Sequence, residues 1–308
     1  MKIAVFYGGI SKEREVSLSS GKGIINALTK KGHEVVGIDF QPNQMNEILK
    51  LDVDLVFIGL HGKFGEDGRV QGLLDMLEIP YVGSGVLASA LAMDKAKAKQ
   101  IFEMNNIPVA KSKTYRMLEK WNVKQMVASI KEVFKPPFVI KPNQEGSTLG
   151  LSIIKEIDDI EEAVSKALES DDTILVEDYI QGRELTVPVL GKPGSERALP
   201  IIEIIPKNPI YDYESKYAPG GSEHIVPAKL NEKLTKKIQE YAVLAHQVLG
   251  CETYSRVDFI LSEDNTPIIL EVNTLPGLTP TSLYPDSAKA IGISYEDMVQ
   301  KFIDLSVN

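Results

Sequence analysis

Apolar residues fall along this chain in short runs and in single stripes, and the two periods mark out its elements. Near the N-terminus a run at 3–7 ends in Gly8-Gly9, and a helical stretch follows to about Lys31, closed by Gly32. Runs at 34–40 and 55–60 read as a second and a third strand, the third ending at His61-Gly62. Residues 69–78 read as a helix, and Pro80-Tyr81-Val82 as a fourth strand before Gly83-Ser84-Gly85. Strands separated by helices imply parallel pairing through right-handed crossovers. Ligands of such sheets gather at the carboxyl ends of the strands, where Gly8-Gly9 and His61-Gly62 both fall.

The pattern then changes. Asp94 is a suitable N-cap for a helix running to about Asn105 and stopping before Ile107-Pro108. Strands at 138–141, 151–154 and 173–177, with a helix over 160–168, make a smaller α+β unit entered at Pro136-Pro137. That helix is the clearest amphipath, with Ile160, Ala163, Val164, Ala167 and Leu168 on one face. From about Gln181, strands at 184–190 and 199–205 precede a polar stretch from Lys207 to His224, a loop long enough to suggest function or disorder. A helix over 232–249 carries Leu234, Ile238, Tyr241, Ala245 and Val248 as a stripe and ends at Gly250, and strands at 254–261 and 268–272 form a hairpin. The expected fold class is therefore α/β and α+β. An N-terminal parallel α/β unit spans 1–93, a small α+β unit 94–180 and a larger α+β unit 181–308.

Composition narrows the partners. The 308 residues are more than one typical core accommodates, and 43% hydrophobic with 25% charged is ordinary globular usage. No apolar run approaches the roughly 20 residues that span a bilayer, so no membrane is expected. The first residues read as a strand rather than a signal peptide, because no small-residue cleavage site follows them. A single cysteine, Cys251, allows no intrachain disulfide and suits a cytoplasmic location; it reads as a small buried apolar residue. A net charge of −9 argues against nucleic acid as the main partner. It leaves room for an anionic ligand if lysines cluster, and Lys95, Lys141 and Lys216 supply such a cluster.

The hairpin is the most informative segment. Period-two alternation puts Arg256 and Asp258 on one face of their strand, and Glu271 and Asn273 on one face of the next. Two carboxylates and an amide oxygen, with no His or Cys nearby, suit magnesium that also takes phosphate oxygens. An exposed strand face of alternating charge would have the same letters. The run from Leu275 through Gly277 to Ser282 adds backbone N–H groups and hydroxyls. A second element, Lys141 to Gly150, joins strand to strand, unlike a phosphate loop that opens a helix. Its glycines, Ser147, Thr148 and the Lys141 charge suit phosphates, although a polar β-hairpin would look similar. Glu177-Asp178-Tyr179-Ile180 suits an adenine pocket and Glu184 the ribose hydroxyls, or the segment is a plain hinge. Lys95, Lys97 and Lys99 read for the most part as a solvated helix face, with Lys95 aimed at a phosphate. Glu13 and Glu15 serve either a helix N-terminus or a substrate ammonium, and His61 is either structural or catalytic.

Taken together these segments resemble the D-alanine–D-alanine ligase family of the ATP-grasp superfamily, over essentially the whole chain. The resemblance rests on Gly8-Gly9, Ser11, Glu13-Arg14-Glu15-Val16-Ser17, His61-Gly62, Gly65-Glu66-Asp67-Gly68 and Met93-Asp94-Lys95. It continues through Glu145-Gly146-Ser147, Tyr211-Asp212-Tyr213-Glu214, Lys216-Tyr217, Arg256, Asp258, Glu271, Asn273 and Pro276-Gly277. It implies an ATP-grasp architecture and condensation of two D-alanines through an acyl phosphate. ATP would be contacted by Lys95, Lys141, Glu177, Tyr179, Ile180 and Glu184. Two magnesium ions, or manganese, would lie on Asp258, Glu271 and Asn273. Glu13 would hold the first D-alanine's ammonium with His61 nearby, and Ser147 and Tyr217 would latch the 207–224 loop as a lid. Lys216 would approach the γ-phosphate; Arg256 and the Gly277 N–H would hold the oxyanion; Ser282 and Leu283 would bind the second carboxylate. A homodimer is implied as well. Tyr179 stands where some relatives carry tryptophan and Thr148 where serine is frequent. Lys216-Tyr217 favours an amine nucleophile over D-lactate, while D-serine stays open as a second substrate. No base for the second amine stands out.

Overall fold

The computed structural model describes residues 1–117, 122–206 and 221–307. It opens with β1 (Lys2–Gly8), α1 (Arg14–Lys30), β2 (Glu34–Phe40), the single turn α2 (Met45–Ile48), β3 (Leu55–Ile58), α3 (Arg69–Met76), β4 (Tyr81–Val82) and α4 (Val86–Met93). The four strands form a wholly parallel sheet in the order β2-β1-β3-β4, as the alternation of strands and helices requires. β1 and β3 are buried on both faces, which is why their letters form apolar runs rather than alternating ones. The chain leaves β1 toward β2 on one side and later places β3 on the other. The carboxyl ends of β1 and β3 therefore border a crevice.

The middle of the chain contributes α5 (Lys95–Met104), β5 (Ser112–Arg116), α6 (Val123–Val133), β6 (Phe138–Pro142), β7 (Ser152–Ile154), α7 (Ile160–Leu168) and β8 (Thr173–Asp178). β5-β8-β6-β7 form an antiparallel sheet whose core includes Met126, Ile130, Ile140, Ile160, Val164 and Val176. Asp94 caps α5 by accepting the Lys97 N–H, as its sequence position indicates. α6 was absent from the sequence-based elements, although Asn122 and Gln125 form a reciprocal capping box that marks its start.

The last part contains β9 (Gly182–Gly191), β10 (Arg197–Ala198), β11 (Ile202–Pro206), β12 (Ser222–Ile225), α8 (Glu232–Val248), β13 (Thr253–Ser262), β14 (Pro267–Asn273), α9 (Leu283–Ala290) and α10 (Tyr295–Val307). β12-β11-β9-β13-β14 form an antiparallel sheet with β10 on β9. Three expectations change here. The strand expected at 199–205 begins only at Ile202, because the Leu199 N–H turns back to the Pro188 carbonyl. The end of the expected loop is strand β12, paired with β11. On α8 the buried stripe is Leu234, Ile238, Ala242, Ala245 and His246, so Tyr241 and Val248 sit at its margins.

The cores do not follow the order of the chain. α5 packs with α4, α8 and β14 in the core of the third sheet. α10 and Tyr254 of β13 pack with the parallel sheet. There Phe302 stacks on Tyr254 with ring centroids 4.1 Å apart and meets Tyr284 edge-on at 5.4 Å.

Candidate active site

The three sheets converge on one cleft of about 700 Å³. Its wall includes Glu13, His61 and Glu66 from the parallel unit, and Lys95, Lys141 and Ser147 from the middle of the chain. Arg256, Asp258, Glu271, Asn273 and Ser282 complete it from the last part.

The hairpin has the register that the alternation demanded. Arg256 lies opposite Asn273 and Asp258 opposite Glu271, and a bulge follows immediately between Asp258 and Phe259. All four side chains thus share one face, aimed into the cleft. Asp258 accepts from Arg256 Nε at 2.9 Å, Arg256 Nη2 at 2.8 Å, Thr186 Oγ1 at 2.5 Å and Asn273 Nδ2 at 3.0 Å. Glu271 lies 3.3 Å from the Lys95 ammonium. Among the described residues no cluster of three or more His, Cys, Asp or Glu side chains forms a metal cage. Two carboxylates and one amide oxygen on adjacent strands nevertheless fit a hard cation that draws its remaining ligands from phosphate.

The loop after β6 is built under local strain. Ser147 and Thr148 both adopt left-handed backbone, with φ of 51° and 64°, an arrangement that persists only where surroundings enforce it. What enforces it is the crevice: the Ser147 hydroxyl donates to the Glu13 carboxylate, across 134 residues of sequence. A Cβ at Gly146 would come within 2.9 Å of the same carboxylate, so only glycine allows the loop to lie that close. Glu13 is the N-cap position of α1 but makes no cap hydrogen bond with its side chain, which lines the cleft. Lys95 Nζ donates to the Glu145 carbonyl at 2.7 Å, tying the loop to α5 as well.

His61 is buried with both ring nitrogens engaged. Nδ1 donates to the Leu275 carbonyl at 3.0 Å, so Nε2 accepts from the Ser20 hydroxyl at 3.1 Å. Ser20 in turn accepts the Leu278 N–H at 3.3 Å. Burial lowers the His61 pKa and keeps the ring neutral. Its contacts hold the 275–278 loop that carries Gly277. Glu66 accepts the Gly62 N–H at 2.7 Å, and burial, then the nearby Glu13 charge, push its carboxyl up to about 8. Ser282 is the N-cap position of α9 and accepts the Thr279 N–H at 3.0 Å, so α9 opens toward the cleft beside Leu283.

The expectation of a solvated lysine face fails at Lys99. Lys97 is exposed, but Lys99 is 2% exposed and its ammonium is 2.8 Å from Glu177. Lys141 meets the other oxygen of Glu177 at 2.5 Å. Lys95 and Lys99 stand four apart on a helix and so share a face, and that spacing was the signal for it. Tyr179, Ile180 and Glu184 line the cleft beyond Glu177, with Tyr179 39% exposed. Lys216 and Tyr217 lie outside the described residues, as does most of the expected lid. Cys251 is buried, and burial pushes its thiol up to about 12, which leaves it inert.

Residues 101–304 match the family model described as D-ala D-ala ligase C-terminus, and residues 41–84 match the one described as D-ala D-ala ligase N-terminus. The chain belongs to the D-alanine–D-alanine ligase family. Among members, the D-alanine–D-alanine ligase of Halalkalibacterium halodurans is 58% identical over 100% of this chain and 99% of its own. That of Carboxydothermus hydrogenoformans is 46% identical over 100% and 98%. The fold agrees with the crystal structure of D-alanine–D-alanine ligase from Bacillus anthracis complexed with ATP, at a TM-score of 0.84 and 33% identity over 100% and 97% of the two chains. VanG D-Ala:D-Ser ligase from Enterococcus faecalis gives a TM-score of 0.85 at 32% identity over 99% of each chain. The family's ATP-grasp architecture thus coincides with the three sheets found here.

Proposed function

We propose that this chain is a D-alanine–D-alanine ligase, joining two D-alanines with conversion of ATP to ADP and phosphate, in the synthesis of peptidoglycan precursors. The observation that carries this reading is the convergence of Glu13, the Ser147 loop and the oxygen-ligand hairpin on one cleft. A carboxylate and an ammonium do not condense unaided in water. Transfer of the γ-phosphoryl group to the first D-alanine gives an acyl phosphate, and attack by the second amine expels phosphate. Such a reaction needs charge neutralisation and positioning more than covalent help.

The nucleotide lies between the second and third sheets, its base against Glu177, Tyr179 and Ile180, its ribose at Glu184, and its phosphates toward Lys95 and Lys141. Asp258, Glu271 and Asn273 hold two magnesium ions, or manganese, which neutralise phosphate charge when bound. Glu13 receives the first ammonium, and Ser147 orients Glu13. Arg256, anchored on Asp258, and the Gly277 N–H face the oxyanion. The open N-terminus of α9, with Ser282 and Leu283, receives the second carboxylate. Lys216 and Tyr217 complete the site from the 207–224 lid, which shields the acyl phosphate from water. The units divided near residues 93 and 180 supply, in turn, the substrate turns, the glycine loop and the metal hairpin. The cytoplasm is the natural compartment, and among the described residues no helix is long and apolar enough to cross a membrane. A homodimer belongs to the same proposal. Met76 of α3 and Leu87 of the adjoining α4 support it, being 79% and 71% exposed.

The test is an incubation of the purified chain with ATP, magnesium and mixed D-amino acids, with products identified by mass spectrometry. D-Alanyl-D-alanine and ADP release dependent on D-alanine and magnesium are expected. Turnover with other amino acids but none with D-alanine would overturn the substrate assignment. Glu271→Gln should lower the rate by about a hundredfold or more while circular dichroism stays unchanged. Near-normal turnover would remove the metal assignment.

A further inference from the structure

Resting on the nucleotide site just described, the geometry points to Lys99 as a positioning residue: a buried counter-ion that neutralises Glu177 from behind and so leaves the Lys141 charge free for the triphosphate.

Three charges meet where β6 and β8 lie against α5. Glu177 bridges two ammonium groups, Lys99 on Oε2 at 2.8 Å and Lys141 on Oε1 at 2.5 Å. All three residues are buried, at 4% exposure for Glu177, 2% for Lys99 and 8% for Lys141. Their access to the cleft differs. Lys141 and Glu177 form part of its wall, and Lys99 does not. Lys99 therefore does not touch a nucleotide, and its ion pair toward the cleft wall is with Glu177.

The sum of charges gives it its role. A Lys141–Glu177 pair alone is neutral, and its ammonium is already satisfied by a carboxylate in a region of low dielectric, where such attraction is strong. A triphosphate arriving there has to compete with Glu177. With Lys99 on the far oxygen, the triad carries one net positive charge, and that charge is presented by the member that faces the cleft. The ionisation of Glu177 agrees: burial opposes it, but Lys141 and Lys99 outweigh the penalty and hold the carboxyl at about 2. Burial draws the Lys99 pKa down, and Glu177 opposes that shift.

The arrangement also has a mechanical side. Lys95, one turn earlier on α5, reaches the Glu145 carbonyl and lies 3.3 Å from Glu271. One face of α5 thus addresses the glycine loop and the metal hairpin at one end and the base-side strand β8 at the other. Purely structural burial of Lys99 would not require its partner to be the residue that also holds Lys141.

The experiment measures binding of a non-hydrolysable ATP analogue with magnesium, and of adenosine alone, by calorimetry on the full chain. Lys99→Met should weaken the analogue about tenfold or more and change adenosine by less than about twofold. The double variant Lys99→Met with Glu177→Gln restores the net charge of the wall and should return the ratio of analogue to adenosine affinity to within about threefold of the parent's, which cancels any loss of Glu177 from the base side. Equal loss of both ligands in Lys99→Met, or no loss of either, overturns the assignment. Should Lys99→Met fail to fold, the double variant, which leaves Lys141 as the one charge of the former triad, decides alone: a fall of more than about threefold in the ratio of analogue to adenosine affinity overturns it. Failure of the parent to bind the analogue at all would count against the nucleotide site itself, a distinguishable result.

Discussion

Glu66 shows how far one side chain departs from what its letter implies. In the sequence it is part of a Gly-Glu-Asp-Gly run and no ligand or substrate is read from it. In the fold it is half-buried in the cleft wall near the Glu13 charge, and its carboxyl is pushed up to about 8 despite the Gly62 and Leu275 N–H groups that favour the anion. A carboxyl raised in this way keeps its proton in the folded chain but loses it near pH 4.5 when unfolded. Between those values the folded state binds more protons, so stability falls as pH rises and the loss is complete above about 8. Glu66→Gln removes the titration. Its melting temperature relative to the parent, measured in chelator, should climb by a few degrees from pH 5 to 8 and then level off. A difference constant across that range would contradict the raised, protonated carboxyl. Lys99 teaches the same lesson in reverse, since a lysine that reads as solvated is closed over by β8.

At the level of elements, the local pattern was a good guide where one face is buried and a poor one elsewhere. The helix over 160–168 is found with the expected bounds, because its apolar period buries Ile160, Ala163, Val164 and Ala167 on one face. α4 escaped notice because Val86–Met93 is apolar nearly all round and shows no stripe. α10 did carry a stripe, in Met298, Val299, Phe302 and Ile303, and was legible without being read. That helix matters more than its position at the chain's end suggests. Phe302 fills the space between Phe57 of the parallel sheet and Tyr254 of β13. Truncation to alanine leaves a cavity that stacked rings cannot close, so Phe302→Ala should cost about 3–5 kcal/mol, read from denaturant unfolding. A cost below about 1 kcal/mol would show that the packing relaxes around the gap.

For the whole molecule, the site exists only because three sheets meet. A nucleotide seated in the cleft touches the second and third sheets together, and so stabilises the assembled form by mass action. At a hundred times the dissociation constant the gain is about 2.7 kcal/mol, so a magnesium–ATP analogue should raise the melting temperature by roughly 5 °C or more. Scanning fluorimetry checks this, and an unchanged transition would contradict a nucleotide bridging the sheets. The sequence by itself determined most of the strands, half of the helices among the described residues, the parallel character of the first unit, and the facing of Asp258 with Glu271. These follow from side-chain period and turn chemistry, which act over a few residues. Only tertiary structure decided that Ser147 reaches Glu13, that His61 holds the Leu275–Leu278 turn through Leu275 and Ser20, that α5 joins the third core, and that Lys99 stands behind Glu177. Those contacts join residues 41 to 258 positions apart. No local period encodes such a meeting; it is settled by which faces remain to be buried once the elements have formed.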